Sequence, residues 1–309
     1  MLAVHLENGA VSLRQVPMPD RPAGYARLRL LLAGICNTDL ELQRGYYGFS
    51  GTPGHEFVAE VVEAGTPALV GKRVVGEINL ACAHCEWCAR GLGRHCPHRT
   101  VLGIVRHPGA FEEFFTLPER NLHILPDGVP LEHAVFTEPI AAACEILDQV
   151  EIPPGDAVAV LGDGKLGLLI VQVLKAHGHP VDLYGRHPGK LRIVGETVRG
   201  ELPSAAYQWV VDATGSPEGL RAAAAMVKPR GTVILKSTVH GAVPVDTAPL
   251  IVNEITLVGS RCGRMEAALP LLGRLDLDPL IHARFPLAEA PQAFARAAAR
   301  GTLKVLLQP

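Results

Sequence analysis

Two rhythms of hydrophobic and polar residues divide this chain of 309 residues. In the first third, apolar runs are short and broken by Gly and Pro. Ala26–Leu32 alternates loosely and ends in Gly34. His55–Glu63 follows a Gly-Thr-Pro-Gly turn and carries Phe57, Val58, Val61 and Val62, and Lys72–Gly76 is a further short run. Brief apolar stretches between turn residues predict strands. A loop excursion over Ala81–Val101 interrupts them.

After Pro139 the rhythm changes. Ala157–Leu161 is an apolar run before a glycine-rich turn, and Leu166–Ala176 is patterned as a helix closed by Gly178. Val181–Tyr184, Trp209–Ala213 and Gly231–Leu235 predict strands, with a helix over Gly219–Met226. Strand, helix and strand in succession imply a parallel sheet with crossover helices. The tail predicts a helix over Ala288–Ala299 and a last strand over Lys304–Leu307.

Length makes two domains the default, and 48% hydrophobic with 19% charged residues excludes a disordered chain. Twenty-nine basic against 31 acidic side chains give no electrostatic reason to expect nucleic acid or an anionic membrane as partner. Met1–Leu13, with Glu7 and Asn8, lacks the charged and apolar regions of a secretion signal. Ala157–Gly178 is the nearest approach to a membrane span, and Asp163, Lys165 and Lys175 interrupt it. Four of the seven cysteines crowd between Cys82 and Cys96. In a chain expected to be cytoplasmic, this reads as thiolate metal ligands and not as a disulfide framework.

Cys82, Cys85, Cys88 and Cys96 form a C-x2-C-x2-C-x7-C run. Four thiolates on one turning loop complete the tetrahedron zinc prefers and leave no open position, which marks a structural site. Spacing alone leaves an iron–sulfur cluster open. His84, His95 and His98 lie in the same loop as competing donors.

Gly162-Asp163-Gly164-Lys165-Leu166-Gly167 is a G-x-G-x-x-G between a predicted strand and a predicted helix. Its glycines allow a tight turn, a close approach to a pyrophosphate and close helix–sheet packing, so the motif points to a dinucleotide. A P-loop is excluded, because no Gly-Lys-Ser/Thr follows. In NAD-type sites the second strand ends in an acid that accepts hydrogen bonds from the adenosine ribose. Here that strand reads Val181-Asp182-Leu183-Tyr184-Gly185-Arg186-His187. Asp182 comes too early, Gly185 offers no carboxylate, and Arg186 carries donors suited to phosphate, with His187 and Lys190 beside it. NADP is therefore expected to be preferred over NAD.

Cys36 in Gly-Ile-Cys-Asn-Thr-Asp and His55 in Gly-His-Glu, followed by the cysteine loop and the nucleotide turn in this order, resemble the zinc-containing medium-chain dehydrogenases of alcohols, polyols, sugars and threonine. The resemblance covers nearly the whole chain. It implies an α/β protein: a GroES-like, partly open β-barrel catalytic domain over residues 1–137 completed by 277–309, and a Rossmann domain over 138–276. It also implies a homodimer or homotetramer acting on a small alcohol, polyol or sugar, with two zinc ions per chain. Cys36 and His55 match the first two catalytic zinc ligands. Glu138, in Thr-Glu-Pro-Ile-Ala, and Glu56 are the carboxylates available as the third, and Cys144 is a weaker candidate. Thr38 matches the residue whose hydroxyl accepts the substrate proton, and Asp39 the carboxylate that orients His55. Glu41 stands where some relatives place a relay histidine. Gly162, Gly164, Lys165, Leu166, Gly167, Gly185, Arg186 and Thr214 match the cofactor-binding segments, as do Ser260 and Arg261 near the nicotinamide. Lys236 and His240 are possible cleft residues. His5, His107, His123 and His282 read as surface or satisfied core groups.

The chain is short for the family. Little room remains between Tyr184 and Trp209, so a trimmed Rossmann domain is expected. An inactive structural or regulatory member and a zinc-free quinone reductase are the competing readings.

Overall fold

The computed structural model describes residues 1–196, 201–238 and 243–309. The chain divides into two compact units, Met1–Glu138 with Leu280–Pro309, and Pro139–Pro279. Among the described residues no helix is long and apolar enough to cross a membrane.

The first unit is built of β1 (Leu2–Glu7), β2 (Ala10–Gln15), β3 (Tyr25–Ile35), β4 (Glu56–Glu63), β5 (Arg73–Gly76), β6 (Asn79–Leu80), β7 (Thr100–Val101), β8 (Phe114–Pro118) and β9 (Leu122–Ile124). It carries the short helices α1 (Asn37–Gln43), α2 (Glu86–Ala89) and α3 (Leu131–Ala134), and α4 (Thr137–Gln149) starts at its end. The second unit holds β10 (Val158–Leu161), α5 (Lys165–Ala176), β11 (Val181–Tyr184), α6 (Pro188–Ile193), β12 (Tyr207–Asp212) and α7 (Pro217–Met226). It continues with β13 (Val227–Leu235), α8 (Ala248–Val252), β14 (Thr256–Gly259) and α9 (Met265–Ala268). β15 (Ile281–Pro286), α10 (Ala290–Ala298) and β16 (Lys304–Gln308) return to the first unit.

The main sheet of the first unit runs β15-β16-β3-β4-β5-β9, with β8 also pairing β3. β3 is the longest strand and runs straight through Gly34, which the sequence suggests as its end. A Cβ at Gly34 would stand 2.7 Å from both Glu56 Oε2 and Val135 Cγ1. That glycine makes room for the site's side chains. β1 and β2 form a hairpin the hydrophobic pattern does not predict. Asn8 and Gly9 turn it with φ of 49° and 80°, the positive angles a two-residue hairpin turn requires.

In the second unit five parallel strands lie in the order β11-β10-β12-β13-β14. Every residue of β10 is buried, and α5 buries Gly167 through Val171 together with Val173 and Leu174. β11 and β12 flank β10 on opposite sides, so the chain reverses its winding direction there. Ligands of doubly wound sheets bind at the carboxyl end of such a strand. The room after Tyr184 is filled by the six-residue α6, and among the described residues no strand pairs β11 on its outer side.

Candidate active site

The cysteine loop places four sulfurs at tetrahedral spacing. Sγ separations are 3.9 Å for Cys82–Cys88, 3.5 Å for Cys85–Cys88, 3.7 Å for Cys85–Cys96 and 3.5 Å for Cys96–Cys82. Zn–S bonds of about 2.3 Å give a tetrahedron edge of about 3.8 Å. The donor set fits one ion; a cluster of several irons would hold its thiolates further apart. Local structure explains the clustering: Cys85 caps α2, Cys88 sits on it, and a single 3-10 turn returns the chain to Cys96. Backbone N–H groups of Cys82 and His98 pull the Cys96 thiol down to about 6. All seven cysteines are free of disulfides.

Among the described residues, a second group of donor atoms lies within 4.8 Å of one another, from Cys36, His55 and Glu56. Cys36 caps α1, and its backbone N–H donates to Asp39 Oδ2 at 2.8 Å. The other Asp39 oxygen faces His55 Nδ1 at 3.4 Å, and both residues are buried. Burial disfavours an imidazolium here, but the carboxylate of Asp39 and the sulfur of Cys36 outweigh it and hold the His55 pKa well above its ordinary value. A cation bound between these donors would take the place of that proton. Thr38 Oγ1 lies 3.8 Å from Cys36 Sγ. Glu41 accepts a hydrogen bond from Arg44 at 2.5 Å.

The two carboxylate candidates differ in setting. Glu56, on β4, forms a buried ion pair with Lys304 of β16. The Lys304 ammonium also lies 5.5 Å from the centre of the Phe136 ring. Removing one partner would leave a buried charge uncompensated, at about 3–5 kcal/mol. Glu138 is not in the Cys36–His55–Glu56 group. Burial raises its pKa, and the charges of His55 and Lys304 oppose that rise while Glu56 and Glu77 add to it. The Cys144 Sγ lies 3.8 Å from the Ala267 carbonyl, and burial with Asp148 pushes its thiol up to about 11.

In the second unit the glycine turn follows β10. Gly162 has φ 108°, and a Cβ there would stand 2.5 Å from the Ala213 carbonyl oxygen. A Cβ on Gly167 would run into the carbonyl of Gly162, whereas one on Gly164 would meet nothing within 4 Å. That open side is where a pyrophosphate can approach the first turn of α5, opened by Lys165 and Leu166. Thr214 is exposed, and its Oγ1 donates to Asp212 Oδ1 at 2.8 Å. Arg186 is exposed at the end of β11, beyond Gly185. Ser260 is buried, while Arg261 is exposed. Lys236 is no open cleft residue. It is buried, and its ammonium donates to Ala142 O at 2.5 Å, Arg261 O at 2.8 Å and Ser260 Oγ at 3.1 Å. His240 lies outside the described residues.

Sequence reading missed Lys304 and the contacts of Asp163, whose Oδ2 accepts from the backbone N–H groups of Arg186 and His187. Lys304 looked like the start of a terminal strand, and only the pairing of β16 with β3 brings it beside Glu56, 248 residues away. Asp163 had a signal, since a carboxylate inside a phosphate-binding turn needs a partner.

The family profile of the alcohol dehydrogenase GroES-like domain matches residues 22–127. The chain is 27% identical over 331 residues to the sorbitol dehydrogenase of Halalkalibacterium halodurans, covering 97% of this chain and 96% of that one. It is 31% identical over 265 residues to the starvation-sensing protein RspB of Escherichia coli K12, covering 83% and 72%. Two solved structures each superpose with a TM-score of 0.91 over 100% of this chain and 99% of theirs. One, described as a zinc-binding dehydrogenase from Sinorhizobium meliloti 1021 and bound to NADP, is 28% identical. The other, the rspB alcohol dehydrogenase from E. coli CFT073 complexed with NADH, is 25% identical. The chain belongs to the zinc-containing medium-chain dehydrogenase family, with its GroES-like domain and parallel-sheet nucleotide fold.

Proposed function

We propose that this chain is a zinc-dependent oxidoreductase that moves a hydride between the CH–OH carbon of an alcohol, polyol or sugar and NADP or NAD. The observation that carries the reading is the convergence of Cys36, His55 and Glu56 within 4.8 Å. Similarity to a sorbitol dehydrogenase along 97% of the chain favours a polyol-type substrate. Zinc held there supplies a Lewis acid for the substrate oxygen. The Asp39 carboxylate, 3.4 Å from His55 Nδ1, is placed to orient the imidazole for the metal. The Thr38 hydroxyl, beside Cys36, takes the proton of the substrate hydroxyl. A chain without turnover, or one that had lost its zinc, would have no use for this donor set.

The residues of the first unit serve catalysis and those of the second bind the dinucleotide. The cysteine loop holds a second, structural zinc. A homodimer or homotetramer in the cytoplasm completes the reading. NADP is preferred, which Gly185 and the exposed Arg186 support, although relatives hold either cofactor. The test is turnover over simple and secondary alcohols, polyols, aldoses and threonine, with kcat/KM for both cofactors in wild type and Arg186→Ala. Arg186→Ala should lower the NADP-to-NAD ratio by about tenfold, the worth of a charge-assisted hydrogen bond. A wild type favouring NAD tenfold, or a ratio unmoved in the variant, counts against the cofactor reading. No turnover on any substrate counts against the enzyme.

The third zinc ligand is a carboxylate, Glu138 or Glu56. The Cys144 Sγ is turned to the Ala267 carbonyl, 3.8 Å away. Cys144→Ala should keep most activity, while Glu138→Ala should lose metal or rate by about tenfold or more. A metal-bound structure with the Cys144 sulfur about 2.3 Å from zinc would reverse this assignment.

A further inference from the structure

In NAD-type doubly wound folds an acid at the end of the second strand accepts hydrogen bonds from the adenosine ribose. Here the corresponding end is Gly185, and a carboxylate reaches it from another direction. A Cβ on Gly185 would stand 2.6 Å from both Cβ and Oδ2 of Asp163, the second residue of the glycine turn. Asp163 and a strand-end acid therefore exclude each other.

The Asp163 carboxylate is buried and turned toward the chain. Oδ2 accepts hydrogen bonds from the backbone N–H of Arg186 at 2.7 Å and of His187 at 2.6 Å. The His187 Nδ1 lies 3.0 Å from both carboxylate oxygens. Burial alone would raise the carboxyl's pKa, but the His187 ring and the two amides outweigh it and keep the group ionised. An ionised carboxylate only accepts, so Nδ1 carries the proton. The outward nitrogen, Nε2, belongs to a side chain 38% exposed. Asp163 thus spends its charge on the turn, and Arg186 emerges from that turn exposed, within electrostatic reach of Glu218.

We propose that Asp163 is a positioning residue for the adenosine end of the cofactor, stapling the turn between β11 and α6 so that Arg186 is set to receive a ribose 2′-phosphate. The proposal rests on the NADP reading above. Holding the turn before the ligand arrives lowers the ordering cost of binding. Sharing the carboxylate's charge with two amides and an imidazole N–H keeps it from repelling the phosphate. Removing Asp163 should therefore weaken phosphate recognition without touching the pyrophosphate contacts of the glycine turn.

The test is calorimetric titration of the full chain with 2′,5′-ADP and 5′-AMP, fragments that need neither zinc nor turnover. Wild type should prefer 2′,5′-ADP by about tenfold. Asp163→Ala should lose most of that preference, as Arg186→Ala does, with 5′-AMP affinity changed less than about threefold. The double variant should be no worse than either single one, because both act on one contact. Asp163→Asn keeps one acceptor oxygen, should fall between, and serves if the alanine variant does not fold. A preference retained in both Asp163 variants overturns the positioning role and leaves the NADP reading standing. Equal loss of both fragments shows damage to the whole turn and also overturns it. A wild type that binds the fragments equally, or prefers 5′-AMP, defeats the NADP reading and the proposal together.

Discussion

Cys36→Ala should abolish turnover, lowering kcat/KM by about a thousandfold, while the protein stays folded. The Lewis acid such a site supplies is worth several kcal/mol of transition-state stabilisation, and each 1.36 kcal/mol is about tenfold in rate. The fold should survive because the charge-assisted half of the capping box that starts α1 is made by the Cys36 backbone N–H, which donates to Asp39, and only the weaker acceptor contact of the sulfur is lost. A methyl group in place of the thiol leaves that bond intact. The remaining donors, His55 and one carboxylate from Glu56 or Glu138, are too few to retain zinc, and Glu56 is already engaged by Lys304. Metal content should fall from two ions per chain to one, with an unchanged circular dichroism spectrum. A Cys36→Ala protein that keeps both ions and most of its rate would place the catalytic centre elsewhere.

Cys85→Ser should empty the other site and destabilise the protein. The loop it serves has little else to hold it. Its regular structure amounts to the two-residue strands β6 and β7, one turn of α2 and one 3-10 turn, and Trp87 is exposed. Apparent binding free energies of structural zinc are about 10–16 kcal/mol in small zinc domains, and such energy is largely folding energy. Even a few kcal/mol of that loss should lower Tm by roughly 10 °C in a chain of this size. Limited proteolysis should then cut within residues 81–101. Zinc content should drop by one, and catalysis should fail at lower temperature than in wild type. An unchanged Tm together with an unchanged zinc count would show that the four sulfurs are not a metal site.

What was legible in the amino-acid sequence was the local part. The cysteine quartet could be read because its spacing and its geometry are the same fact: one loop, folded by a few turns, brings all four sulfurs within 4.8 Å of one another. The glycine turn could be read for the same reason, since strand, turn and helix are consecutive. β11 was legible to the residue, as a short apolar run bounded by Pro180 and Gly185. The β1–β2 hairpin was equally local. Its Asn-Gly turn lies in plain view, but β2 is too polar to register as a strand in the hydrophobic pattern.

Tertiary structure decided what depends on distant segments meeting. Gly34 reads as a strand end until Glu56 and Val135 are seen crowding the space beside it. Lys236 reads as an open cationic side chain until α4 and the two residues after β14, Ser260 and Arg261, supply its acceptors. Lys304 acquires its partner only because β16 lies against β3, and no spacing in the sequence encodes a contact over 248 residues. Asp163 meets Arg186 and His187 only because β10 and β11 run parallel in register, with Leu161 opposite Tyr184. Residue types and short spacings by themselves pointed to a four-thiolate metal loop and a dinucleotide turn, because such groups are gripped by local turns. The dehydrogenase chemistry came from the resemblance carried by Cys36, His55 and the order of the motifs. Which buried charges compensate one another was left to the packing of strands, because a charge's partner is set by distance in space and a strand's neighbour need not be near in sequence.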